Sequence, residues 1–367
     1  MGINWNYPTT MWIGENRIED LSLACKELNI SNPLFVTDKD LINLDLTKNI
    51  ILRLKKSFEN LATFSNFTGN PIGENVEEGV KVYNTSNCDG VIALGGGSGL
   101  DVGKAIAFMC NQSRPIWDFE DIGDYWTRAD SSKISKIIAV PTTAGTGSEV
   151  TPVAVITTGD TTKAGISSAT LLPDVALLDA ELTVGLPAHV TAMTGIDAMV
   201  HAIEAYTSKI RKNPLSDTLA KQALLLLCAN QRRVLSHPGD LGAREAMLLG
   251  ATLAGQAFAN APVAAVHALA YPLGGHYHMP HGLSNALMLP AVLRFNASAA
   301  EAQYLELAPL LPEGAGPGLD GFVGWFEQLI SDAALPHSLA SAGVPEDRKS
   351  TRLNSSHVRT SRMPSSA

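Results

Sequence analysis

Two short apolar runs, Val91-Ile92-Ala93-Leu94 and Ile137-Ile138-Ala139-Val140, each pass without a break into a loop of glycine, serine and threonine. A strand with one wet face alternates apolar and polar residues. A run without alternation has to be covered on both faces. Leu34-Phe35-Val36-Thr37, Val153 to Thr157 and Val175 to Leu178 read as further strands, with helical or loop stretches between them. The pattern predicts a parallel, Rossmann-like sheet between helices, an α/β domain over residues 1–185. In such sheets ligands bind beyond the carboxyl ends of the strands, which is where both loops fall.

The first loop, Gly95-Gly96-Gly97-Ser98-Gly99-Leu100-Asp101-Val102-Gly103-Lys104, matches neither common phosphate-binding pattern. Leu100 stands where GxGxxG needs its third glycine, and Ser98 stands where a P-loop needs its first. The chemistry remains suitable. Glycines let backbone N–H groups approach a pyrophosphate, and a helix beginning near Leu100 favours negative charge there. The alternative is a tight turn with no ligand. The second loop adds the hydroxyls of Thr142, Thr143, Thr146 and Ser148, and the two together favour a dinucleotide. Asp38, at the end of the first strand, suits the ribose hydroxyls of NAD and opposes the 2′-phosphate of NADP; it also fits a solvated turn.

Leu186-Pro187 marks a boundary, and residues 186–347 show no convincing strand. Leu219 to Ala229 and Ala243 to Phe258 are strongly helical and apolar, so this half reads as an all-α domain. Asp197 and His201 are four residues apart, which stacks them on one helical face. Ala198, Met199, Val200, Ala202 and Ile203 make that helix apolar, so an ionised Asp197 needs a partner. A cation shared with His201, His267 and His281 would supply one, and this donor set suits Fe²⁺ or Zn²⁺. A buried Asp–His hydrogen bond without metal is the other reading. Pro272, Gly274 and Gly275 are expected to break the helix carrying His267. Glu204 shares the face of Asp197 and His201, either on the surface or supporting the ligands.

A net charge of −9 argues against nucleic acid or an anionic membrane surface as partner. Four cysteines without regular spacing read as reduced thiols. With no basic-then-apolar leader and no membrane-length apolar run, the expectation is a cytoplasmic protein. Arg348 to Ala367 carries five basic residues, no acid and little apolar content. It reads as a non-native, exposed tail following a truncated helical domain.

Asp197-x-x-x-His201 with His267 and His281 resembles the ligand set of the iron-containing alcohol dehydrogenases. The likeness runs from about Trp5 to Leu339. It implies the architecture shared by that family and dehydroquinate synthase, an α/β nucleotide domain followed by an all-α metal domain. It also implies NAD-dependent interconversion of a small alcohol with its aldehyde or ketone, in a homodimer or larger homo-oligomer. The family's pyrophosphate loop maps onto Gly95, Gly96, Gly97, Ser98, Asp101 and Lys104. Its second nucleotide loop maps onto Thr142 to Glu149, and Asn70 and Lys163 fall at further nucleotide contacts. Many members carry another histidine four residues after the third ligand. Tyr271 stands there instead, so the proton route falls to Tyr271, to His278 or to His276, or Tyr271 only walls the pocket. A dehydroquinate synthase-like lyase or cyclase would need a basic cluster, and His267 to Pro290 contains no Lys or Arg. A non-catalytic remnant of a dehydrogenase is the other alternative.

Overall fold

The structure is a computed structural model that describes residues 5–158, 162–312 and 315–345. The segment read as a foreign tail lies outside the described residues. Two compact units emerge. One comprises residues 7–143 and 148–183, and the other 184–345 together with Ala144–Gly147 and the stretch before Tyr7.

The first unit contains β1 (Thr10–Ile13), α1 (Leu21–Glu27), β2 (Pro33–Val36), α2 (Asp45–Ser57), β3 (Ala62–Phe64), α3 (Gly73–Thr85), β4 (Gly90–Gly95), α4 (Gly97–Met109), β5 (Lys136–Pro141), β6 (Val153–Thr158), β7 (Thr162–Ser167) and β8 (Val175–Leu178). Six strands form one parallel sheet in the order β1-β8-β5-β4-β2-β3. The unbroken apolar runs have their physical reason here. Val91, Ala93, Ile137 and Ala139 face one core, shared with α3 and α4. Ile92, Leu94, Ile138 and Val140 face the other, shared with α1 and α2. Both faces of the pleat are dry, so neither can be polar.

The sheet departs from the sequence expectation in two ways. β6 does not join it but pairs antiparallel with β7 in a separate ribbon. Its side chains alternate between buried and half-buried, as a strand with one covered face does. The short strands β1 and β3 sit at the sheet edges, where fewer apolar residues are needed and the sequence signal is weak.

The second unit is all helical: α5 (Ala188–Thr207), α6 (Pro214–Ser236), α7 (Leu241–Asn260), α8 (Ala265–Tyr277), α9 (His281–Leu307) and α10 (Gly318–Asp332). α5 is buried along most of its length and packs on α6, α7 and α9. The helix carrying His267 is not broken at Pro272. α8 continues through Pro272, Gly274 and Gly275 and stops at His278, which takes a left-handed conformation, φ 51°. Proline removes one backbone donor, yet Leu273, Gly274 and Gly275 are buried, and their packing holds the helix together across that gap.

Candidate metal centre and nucleotide loops

α5 places Asp197 and His201 one turn apart, α8 brings His267 in its first turn, and α9 begins at His281. Gly282 makes the last approach feasible: a Cβ there would lie 2.3 Å from the Met193 carbonyl oxygen on α5. The four side chains each offer one donor atom, and these atoms all lie within 4.8 Å of one another. Asp197 Oδ1 is 4.0 Å from His201 Nε2, 3.9 Å from His267 Nε2 and 3.6 Å from His281 Nε2. Asp197, His201 and His267 are buried, while the His281 side chain keeps 30% of its exposure and marks the accessible side.

Each imidazole is held by a neighbour. Glu204 is buried, not on the surface. Its carboxylate accepts the Ala264 and Val266 backbone N–H groups at 2.9 and 2.7 Å and His267 Nδ1–H at 2.7 Å. That bond fixes the His267 tautomer and leaves the Nε2 lone pair facing the cluster. The His201 ring stacks on His267 at 4.7 Å and on Phe258 at 4.4 Å. Burial pushes the His201 pKa down to about 3, against the pull of Asp197, so its imidazole is neutral and keeps a lone pair to donate. Tyr271 stacks on His281 at 5.8 Å and meets His267 edge-on at 6.3 Å.

The residues fit a divalent cation. Converging acceptors in a buried space repel one another unless positive charge or donors lie among them. One carboxylate and three imidazoles match the preference of Fe²⁺ or Zn²⁺.

His278, one of the residues expected to handle the proton, sits at the carboxyl end of α8. The side chain is exposed at the end of α8, and among the described residues no hydrogen bond or ring contact joins it to the cluster. His276 packs against Tyr277. Phe258 and Asn285 went unnoticed in the sequence. Asn285 stands four residues after His281, the same helical spacing that flagged Asp197 and His201.

In the α/β unit the chain leaves β2 toward one side of the sheet and β4 toward the other, so the carboxyl ends of these neighbours form a topological switch point. Asp38 follows β2 and Gly96 follows β4. Asp38 Oδ1 accepts the Asp40 and Leu41 N–H groups, both at 2.9 Å. Gly95 has φ 155°, and a Cβ there would meet Gly99 Cα at 3.3 Å, so this tight turn needs glycine. It leads directly into α4, whose first turn presents the N–H groups of Gly97, Ser98 and Gly99. Thr142 N donates to the Gly95 carbonyl at 2.9 Å, which sets the second loop beside the first. Thr143 and Thr146 are half-buried.

Three residues expected at the nucleotide, Lys104, Asp101 and Ser148, share one buried hydrogen-bond network. Lys104 is buried, and its three N–H donors meet the carbonyls of Ser148, Thr151 and Val153 at 2.9, 3.2 and 2.5 Å. Burial lowers its pKa, and Asp101 at 3.5 Å opposes that. Asp101 accepts the Ser148 hydroxyl at 2.6 Å and Val155 N–H at 3.0 Å. These bonds make Lys104 a brace of the second loop, and Ser148 gives its one proton to Asp101. Asn70 is exposed in a left-handed turn after β3, φ 57°. Lys163 belongs to β7, but its side chain lies outside the described residues.

Comparison with known proteins decides between the open readings. The family model for iron-containing alcohol dehydrogenase matches residues 8–180, and the model for the C-terminal part of that family matches residues 191–357. The chain belongs to the iron-containing alcohol dehydrogenase family. The second match runs past Arg348, into the stretch read as foreign. The 1,3-propanediol dehydrogenase of Klebsiella pneumoniae is 36% identical over 348 residues, covering 92% of this chain and 88% of the relative. The crystal structure of a 1,3-propanediol oxidoreductase superposes with a TM-score of 0.88 at 34% identity, covering 95% of this chain and 91% of the other. Sulfoacetaldehyde reductase from Bifidobacterium kashiwanohense, solved in complex with NAD⁺, superposes at 0.84 with 29% identity, covering 95% and 90%. As a member of this family the chain is a metal-dependent, NAD-linked alcohol oxidoreductase. The matches give no support to a cyclase of the dehydroquinate synthase type.

Proposed function

We propose that Asp197, His201, His267 and His281 hold one divalent ion, iron or zinc, and that NAD is gripped by Asp38, Gly95, Gly96, Gly97, Ser98, Thr142 and Thr143. The observation that carries the metal assignment is the convergence of four acceptor atoms from three helices, with Glu204 turning one imidazole toward the common centre. When bound, the ion supplies Lewis acidity at the alcohol oxygen and NAD supplies the hydride acceptor. The protein's own groups do the rest. Asp197 provides the compensating negative charge, and the buried rings of His201 and His267 keep water from one side. Tyr271, stacked on His281, bounds the space open to a small alcohol; a phenol at neutral pH is a donor rather than a base. The N–H groups of the first turn of α4 face the pyrophosphate, and Asp38 takes the ribose hydroxyls.

The test is oxidation of a panel of small primary alcohols, diols and secondary alcohols, with NAD and NADP in parallel, before and after chelation and reloading with Fe²⁺ or Zn²⁺. Turnover should prefer NAD, vanish on chelation and return on reloading. Full turnover by chelated, metal-free protein would overturn the assignment. A cytoplasmic homo-oligomer is part of the same reading. The four free cysteines support a reducing compartment. Apolar side chains left exposed on the helical unit, Phe295 at 83% above all, support contact with another copy. Light scattering of the purified protein reads the oligomer size directly.

A further inference from the structure

One side chain in the cluster is neither a ligand type nor part of the core. Asn285 lies one turn beyond His281 on α9 and has no exposed surface. Its amide nitrogen donates to Asp197 Oδ1 at 2.5 Å and lies 3.2 Å from His267 Nε2 and 3.3 Å from His281 Nε2. A single NH₂ group thus touches ligand atoms contributed by α5, α8 and α9. Its carbonyl oxygen is buried and, among the described residues, has no hydrogen-bond partner. A buried amide left half satisfied is costly, and an apolar side chain of the same size would avoid that cost. The amide therefore serves the ligands, not packing.

The lone pairs decide what it does. An imidazole nitrogen has one, so its contact with Asn285 gives way when an ion takes it. A carboxylate oxygen has another to spare, so the bond to Asp197 survives loading. We propose that Asn285 is the positioning residue that assembles Asp197, His267 and His281 before the ion arrives and so sets how tightly the ion is held. This rests on reading those residues as metal ligands.

The experiment uses the full chain stripped with a chelator and titrated with Zn²⁺ and Co²⁺. It follows calorimetric affinity, the visible absorption of Co²⁺ as a signature of ligand geometry, and NAD binding to the metal-free protein. Asn285→Ala should weaken both ions about 10- to 100-fold, as loss of a group orienting a ligand does. It should also alter the Co²⁺ spectrum and leave NAD binding as it was. Wild-type affinity and an unchanged spectrum in this variant would overturn the proposal. If the variant does not fold, Asn285→Asp keeps the volume but sets a second carboxylate against Asp197. Its metal-free Tm should fall, and Zn²⁺ should raise it by more than in the wild type. An equal metal-induced rise would mean a packing role only, and would also overturn the proposal. If the wild-type chain itself takes up neither ion, it is the metal reading that fails, and this inference falls with it.

Discussion

Lys104 in the α/β unit and Asp197 in the helical unit are both charged groups removed from water, and their surroundings answer them in opposite ways. Around Lys104 the accounts are closed: three carbonyls receive its donors, and Asp101 receives the Ser148 hydroxyl and the Val155 N–H. Around Asp197 the acceptors outnumber the donors. Three imidazoles crowd the carboxylate, and the amide that bridges them leaves its own oxygen unanswered. A closed cluster of this kind braces the loop it sits in. An open cluster of converging acceptors fits a cation. Both contain a carboxylate and a basic residue at helical spacing, so residue type alone does not separate them.

Four substitutions test that contrast. The largest effect is expected at His267→Ala, which should empty the helical cluster. Metal affinity should fall by more than the roughly 100-fold ceiling for residues acting through a ligand, and turnover should go with it. Metal analysis and steady-state rates on one preparation check this, and an inactive protein that keeps its metal would break the comparison. Lys104→Met should act on the fold instead. It leaves three carbonyls without their donor and Asp101 without its neighbouring cation, at a cost of about 3–5 kcal/mol in unfolding free energy. Metal affinity in the remaining folded protein should not change, so denaturant melts and a Zn²⁺ titration separate the two clusters. Glu204→Gln comes next: it keeps the shape but weakens the grip on His267 Nδ1, and affinity for the ion should drop about 10- to 100-fold. Smallest is Asp38→Gly. Asp38 is an intermediate case: the backbone answers Oδ1, and no hydrogen bond to Oδ2 is found among the described residues. Loss of a charged hydrogen-bond acceptor, roughly 1.5–3 kcal/mol, should relax the preference for NAD over NADP by about tenfold or more. Comparing kcat/KM for the two cofactors measures it, and an unchanged ratio would place Asp38 with the solvated turn residues.

Periodicity is a local property, and what it governs was legible in the sequence. Val91 to Leu94 and Ile137 to Val140 had to be buried on both faces because neither run alternates, so the parallel sheet and its two loops followed. Asp197 and His201 had to share a helix face because they are four residues apart. Partnership across the chain is not local. Lys104 meets Ser148 across 44 residues, Glu204 meets His267 across 63, and Asn285 meets Asp197 across 88. The sequence contained every one of these residues without saying which donor faces which acceptor. Packing decided that Lys104 turns inward, that α8 runs through Pro272, that β6 leaves the sheet for β7, and that His278 ends on the surface. The physical reason is the same each time. A side chain's type sets what it can bond to, but in a buried site only the folded chain sets which partner comes within about 3 Å, the reach of a hydrogen bond.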